Sequence, residues 1–176
     1  PDQVLALTFS RKAAEQLRDR VASRVGRTMS SALSSTFHSF AYALIRRYTP
    51  AELYDAPLRL LSAPEQDVVL QQSLTRAPES VVWPESISGA LGTRGFAREV
   101  AQVLARAQEK GLGYDALRRL GEEEGIAEFV AAAAFMAQYD VVMGDENLLD
   151  YPSLIATAVR MLQDPGQPAR DELRAQ

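Results

Sequence analysis

The chain has 176 residues, enough for one good-sized domain or a domain with a subdomain, and its 47% hydrophobic and 24% charged residues are the mix of a globular protein. Cysteine is absent and His38 is the only histidine, which excludes a disulfide framework, a thiolate zinc site and a multi-histidine metal site. No apolar run approaches 18 residues and no signal-peptide pattern opens the chain, so no membrane segment is expected and a cytoplasmic location fits. The first residue is Pro1 rather than a methionine, which suggests a piece of a longer protein. Net charge is −4, unevenly spread: residues 1–50 carry eight Lys/Arg against three acids, and residues 51–176 carry eleven against twenty. A polyanion would therefore approach the N-terminal third, although a solvated basic helix face gives the same pattern.

In chain order, Val4-Leu5-Ala6-Leu7-Thr8-Phe9 is a short apolar run that reads as a buried parallel strand. Ser10 offers an N-cap, and the apolar spacing from Ala13 to Val25 predicts a helix over Arg11 to Val25, stopped by Gly26. Strand, tight turn and helix make half of a βαβ unit. Ser30 to Ser35 reads as a loop, Phe40 to Tyr48 as a second helix with Arg46 and Arg47 near its end, and Pro50 as a break. From there the chain is acidic and helical. Helices are expected from Ser62 to about Arg76, briefly after Trp83-Pro84-Glu85, over Thr93 to Lys110, over Tyr114 to Glu124, and over Ile126 to Met143 with Gly144 as the stop. A last helix opens at Leu148-Leu149-Asp150 and runs to about Leu162, and the tail has room for one more turn from Arg170. No strand-like run follows Phe37. The expected fold class is mainly α, with a partial α/β segment and an inserted or appended all-helical subdomain.

Two segments carry chemistry. Thr8, Phe9 and Ser10 fall at the carboxyl end of the first strand, where open α/β sheets bind ligands, and the turn leads into a helix N-terminus that favours a phosphate. Hydroxyls, an aromatic ring and an amide-rich turn can hold backbone phosphates and stack a base. The alternative is a buried Phe9 with Thr8 and Ser10 as ordinary caps. Thr36, Phe37, His38 and Ser39 repeat the arrangement at a second strand-to-helix junction.

The first segment, Thr8-Phe9-Ser10-Arg11-Lys12-Ala13-Ala14 with Leu17 and Arg20, resembles motif Ia of superfamily 1 DNA helicases of the UvrD/PcrA/Rep type. Thr36-Phe37-His38-Ser39 resembles the family's next motif, and Leu149-Asp150-Tyr151-Pro152-Ser153-Leu154 resembles the stretch before its Walker B strand. The resemblance implies a RecA-like motor-domain segment over residues 1–48, a helical 1B subdomain over 49–148, and a return helix over 149–176. It implies single-stranded DNA contacts at Thr8, Phe9, Ser10, Arg11, Lys12, Thr36, Phe37, His38 and Ser39, with a duplex junction and the remaining motor domains as partners. Asp150 is expected to cap its helix. ATP and Mg are implied for the parent protein in DNA repair or replication. None is expected in these 176 residues, which contain no Gly, four residues, Gly-Lys and Ser or Thr run. The chain alone is thus expected to be inactive as an ATP hydrolase. The wording of the two motifs is also similar to break-processing helicase–nucleases of the AdnA/AdnB type. A non-catalytic helical interaction module is the remaining alternative.

Overall fold

The computed structural model describes residues 4–26, 34–49 and 58–175. The chain divides into two compact units, one of residues 1–53 with 157–176 and one of residues 54–156. Both are mainly helical. Of the loop expected over Ser30 to Ser35, residues 30–33 lie outside the described residues, as does the break at Pro50, whereas Ser34 and Ser35 are strand, drawn into the sheet by pairing with β1.

In the first unit, β1 (Ala6–Thr8) pairs in parallel with β2 (Ser34–Thr36), and the register sets Ala6 against Ser34, Leu7 against Ser35 and Thr8 against Thr36. Helix α1 (Arg11–Val25) links them and packs on both. The Ser10 hydroxyl starts it by accepting from the Ala13 N–H at 3.2 Å, and Gly26 ends it at φ 68°, donating to the Ala22 carbonyl. The strand is shorter and less buried than its sequence suggests. Val4 and Leu5 are exposed, and Ala6 to Thr8 are half-buried. A fully buried strand needs neighbours on both edges and both faces. Among the described residues β1 has one strand partner. Helix α2 (Phe37–Tyr48) begins three residues before its expected start, because Thr36 caps it. It buries Ala41, Leu44 and Ile45. Helix α8 (Pro168–Ala175) packs on α2 with Ala169 wholly buried.

The second unit contains a strand pair where none was expected. β3 (Arg59–Leu60) and β4 (Leu148–Leu149) run parallel, tied by bonds from the Arg59 N–H to the Asn147 carbonyl at 2.9 Å and from the Leu61 N–H to the Leu149 carbonyl at 2.7 Å. Two-residue strands this far apart in the chain leave no periodic signal in either segment. Helix α3 (Ala63–Thr75) starts on a capping box, with the Ser62 N–H and hydroxyl both donating to the Glu65 carboxylate at 2.9 and 2.7 Å. Those bonds from Ser62, helped by Arg59, hold the Glu65 carboxyl below its usual range. A 3-10 helix at Glu85–Ala90 precedes α4 (Arg94–Glu109), which Thr93 caps.

Helices α5 (Tyr114–Glu124) and α6 (Ala127–Asp145) form a tight hairpin about Gly125. Helix α6 is apolar around most of its surface and lies in the core of this unit, with Phe135 wholly buried. Trp83 meets Phe96 edge-on at 4.9 Å and lies 6.3 Å from Phe135, which stacks on Tyr139. Gly144 continues α6 instead of ending it. A glycine permits a stop without forcing one, and the turn comes at Asn147, whose φ is 53°. Helix α7 (Tyr151–Gln163) accordingly starts after β4 rather than at Leu148.

Asp150 caps α7 as expected and does more. It is 2% exposed, accepts from the Ser153 N–H at 2.9 Å and from the Ser153 hydroxyl, and accepts from Gln66 Nε2 of α3 at 2.9 Å. Burial first, then the Asp150 charge, pushes the nearby Tyr139 phenol well above its ordinary range.

The α5–α6 hairpin depends on a missing side chain. A Cβ at Gly121 would stand 2.9 Å from both Val130 Cγ2 and the Val130 nitrogen, whereas one at Gly144 would meet nothing within 4 Å. Alanine favours a helix over glycine by about 1 kcal/mol. Gly144→Ala should therefore leave stability unchanged or raise it by up to about 1 kcal/mol. Gly121→Ala should lower it by about 1–3 kcal/mol through overpacking. Urea unfolding midpoints of the two variants give the comparison.

Candidate nucleic-acid interface

Parallel strands end on the same side of their sheet, so pairing Thr8 with Thr36 brings two strand-to-helix junctions side by side. Each strand is followed at once by a phenylalanine. Phe9 is 94% exposed and Phe37 is 37% exposed, and their ring centroids lie 5.0 Å apart with planes tilted by 32°. Two touching aromatic rings facing water are not core. Phe9 is thus a surface residue, and the alternative of a buried Phe9 is excluded.

The hydroxyls around the rings are largely committed to the turns. Thr8 Oγ1 donates to the Ser10 carbonyl at 3.0 Å, and Ser10 Oγ holds the α1 cap. Thr36, 9% exposed, accepts from the Ser39 N–H at 3.1 Å and donates to Ser39 Oγ at 2.9 Å. Thr8, Ser10 and Thr36 therefore fix the shape of the junctions. The Ser39 hydroxyl shares that pair and remains exposed. Arg11, Lys12, His38 and Ser39 are exposed, on the first turns of α1 and α2. All nine residues singled out from the sequence thus lie at the two adjacent junctions, in two layers: an inner hydroxyl set and an outer set of rings, cations and donors. The helix N-termini add partial positive charge on the same side.

Among the described residues no group of three or more His, Cys, Asp or Glu is placed to hold a metal ion, and no helix is long and apolar enough to cross a membrane. An aromatic platform edged by cations and helix N-termini suits an extended polyanion with flat bases. The model of the UvrD/REP helicase N-terminal domain matches residues 1–176. The chain belongs to this helicase family. No curated protein matches the chain. DNA is the ligand class of these helicases, and the resemblance read from the three motifs agrees with the family match.

Sequence reasoning missed the brace behind the interface. At the far end of α2, Arg47 Nη2 pairs with Glu172 Oε2 of α8 at 3.0 Å, and the Tyr48 hydroxyl donates to the same carboxylate. Arg47 also lies over the Tyr48 ring, and Arg46 over Tyr42. The partners are 124 residues apart for Tyr48, so no local pattern announces them.

Thr36→Val should cost about 1–2 kcal/mol in chemical unfolding, because it removes the α2 cap and leaves the Ser39 N–H without its acceptor. The Tyr48 phenol is shifted upward, chiefly by its bond to Glu172. A raised folded-state value means that this contribution to stability is fully present below the unfolded value of about 10 and fades as pH climbs through the folded one. NMR titration of the Tyr48 ring should give a midpoint above about 10, returning toward it in Glu172→Gln.

Proposed function

We propose that this chain is the single-strand-contacting part of an ATP-dependent DNA helicase or translocase, acting in the cytoplasm in DNA repair or replication. The observation that carries the reading is the exposed Phe9–Phe37 ring pair at the ends of two adjacent parallel strands. A base would stack on the Phe9 ring, which sees almost unobstructed solvent, and Phe37 would back it. Arg11 and Lys12 on one side and His38 and Ser39 on the other would contact the phosphates that flank that base. Thr8 and Thr36 would act through the turns they hold, with their hydroxyl protons spent there, while the exposed Ser10 hydroxyl, which only accepts in its cap, could still donate to the strand.

In this reading the first unit is a segment of a RecA-like motor domain and the second is a helical subdomain inserted in it. The residues present do not fit ATP, since they include no phosphate-binding glycine loop with its lysine. ATP and magnesium would accordingly be held by residues other than these 176. What this chain supplies is a grip whose parts sit on rigid strand ends and helix starts, where movement of the motor domain would carry a bound base with it.

The test is binding of a labelled oligo(dT) to the full-length protein. Base stacking on an aromatic side chain contributes about 1–3 kcal/mol per base, so Phe9→Ala with Phe37→Ala should weaken binding by about tenfold or more. Phe9→Ala alone should leave the unfolding midpoint unchanged, because the ring is 94% exposed. Affinity should also fall as salt rises. Unchanged affinity in the double variant would contradict the proposal.

A further inference from the structure

The second unit is acidic. Residues 54–156 carry eight Lys/Arg and sixteen Asp/Glu, a net charge of −8. Its surface as a whole repels a polyanion, yet basic side chains gather locally on α4. Between α3 and α4 lies a cavity of about 340 Å³ with Pro64, Val68 and Gln71 along one wall, Arg94 and Arg98 along the other, and the buried Leu70 and Ala97 beneath. Arg94 and Arg98 are four residues apart and so share a helix face. Both are exposed, and neither forms an ion pair among the described residues. Arg59, Arg106 and Arg118 of the same unit are each paired with an acid. Val68 is 53% exposed at the cleft's rim, an apolar side chain beside two uncommitted guanidinium groups.

We propose that the cleft between α3 and α4 docks an acidic amphipathic helix of a partner protein. Pro64 to Gln71 spans seven residue steps, roughly 10 Å of helix axis, which matches about two turns of a docked helix. Apolar side chains on one face of that helix would meet Pro64 and Val68. Carboxylates one turn apart would reach Arg94 and Arg98, whose planar guanidinium groups can bind each carboxylate through two hydrogen bonds. This is recognition of a helix in a groove, with anchors at helical spacing. The placement of charge separates this occupant from a nucleic acid. A helix can confine its carboxylates to the side facing Arg94 and Arg98, whereas a phosphate backbone carries a charge at every nucleotide and would also meet Asp67, which lines the same cleft. In a peptide complex one basic side chain of the partner would answer Asp67 and set the register. The proposal concerns the second unit alone and stands apart from the single-strand reading of the first.

The experiment uses the full-length protein and a displayed library of short helical peptides with randomised surface positions. Selection on the unaltered protein should enrich peptides carrying Asp or Glu three or four residues apart beside Leu, Ile or Phe. The double variant Arg94→Glu with Arg98→Glu should bind those peptides at least about tenfold more weakly, equivalent to about 1.4 kcal/mol. Its unfolding midpoint and its binding of a duplex oligonucleotide should match those of the unaltered protein. Failure to enrich any peptide, enrichment without an acidic bias, or equal binding by the double variant would overturn the proposal. A loss of duplex binding in the double variant would overturn it as well, by assigning the two arginines to phosphates.

Discussion

The candidate DNA contact rests on one register: Thr8 opposite Thr36 in the parallel pair β1–β2. That alignment makes two strands end level with each other, so the residue after each strand emerges beside its counterpart. Both are phenylalanines, and their rings come to lie 5.0 Å apart. A slip of one residue would turn every side chain of a strand to the opposite face and separate the rings. The hydroxyls of Thr8, Ser10 and Thr36 then hold the turns that follow. Polar side chains here act as the frame, and aromatic ones as the exposed surface, the reverse of their usual distribution.

The two units differ in charge as they do in build. The first carries +4 over residues 1–53 and 157–176, and the second −8 over residues 54–156. The second is organised around α6, most of whose apolar side chains are buried by its neighbours, and around Asp150, which joins the start of α3 to the start of α7 through Gln66 and Ser153. A buried carboxylate costs stability unless its lone pairs are filled. Here three donors fill them, and the same bonds fix where α7 begins.

Much of this was legible from residue patterns. Ser10 and Gly26 marked the ends of α1, Gly125 marked the turn between α5 and α6, and Asp150 read as a cap, because these signals act within four residues of where they stand. The misreadings have physical causes. The apolar run from Val4 reads as a buried strand, but burial depends on neighbours that a run cannot reveal, and Val4 and Leu5 are exposed; the exposure of Phe9, by contrast, is what the binding reading of that turn requires. Helix α2 starts earlier than its apolar spacing predicts, because the Thr36 hydroxyl caps it ahead of the first periodic residue. β3, β4 and the Tyr48–Glu172 contact join segments some 90 to 124 residues apart and left no trace in either. At the candidate site, the two junction motifs and their resemblance to the helicase family point to the residues, while the pairing of the two rings and the commitment of the hydroxyls to the turns need coordinates.

Photocross-linking tests the central claim most directly. An oligonucleotide carrying 5-iodouracil, bound to the full-length protein and irradiated, attaches to the aromatic side chain against which its base lies. Mass spectrometry of the digested complex should place the adduct on Phe9 or on the Phe37–His38 peptide. Adducts confined to residues 58–156, with both junction peptides recovered unmodified, would contradict the account.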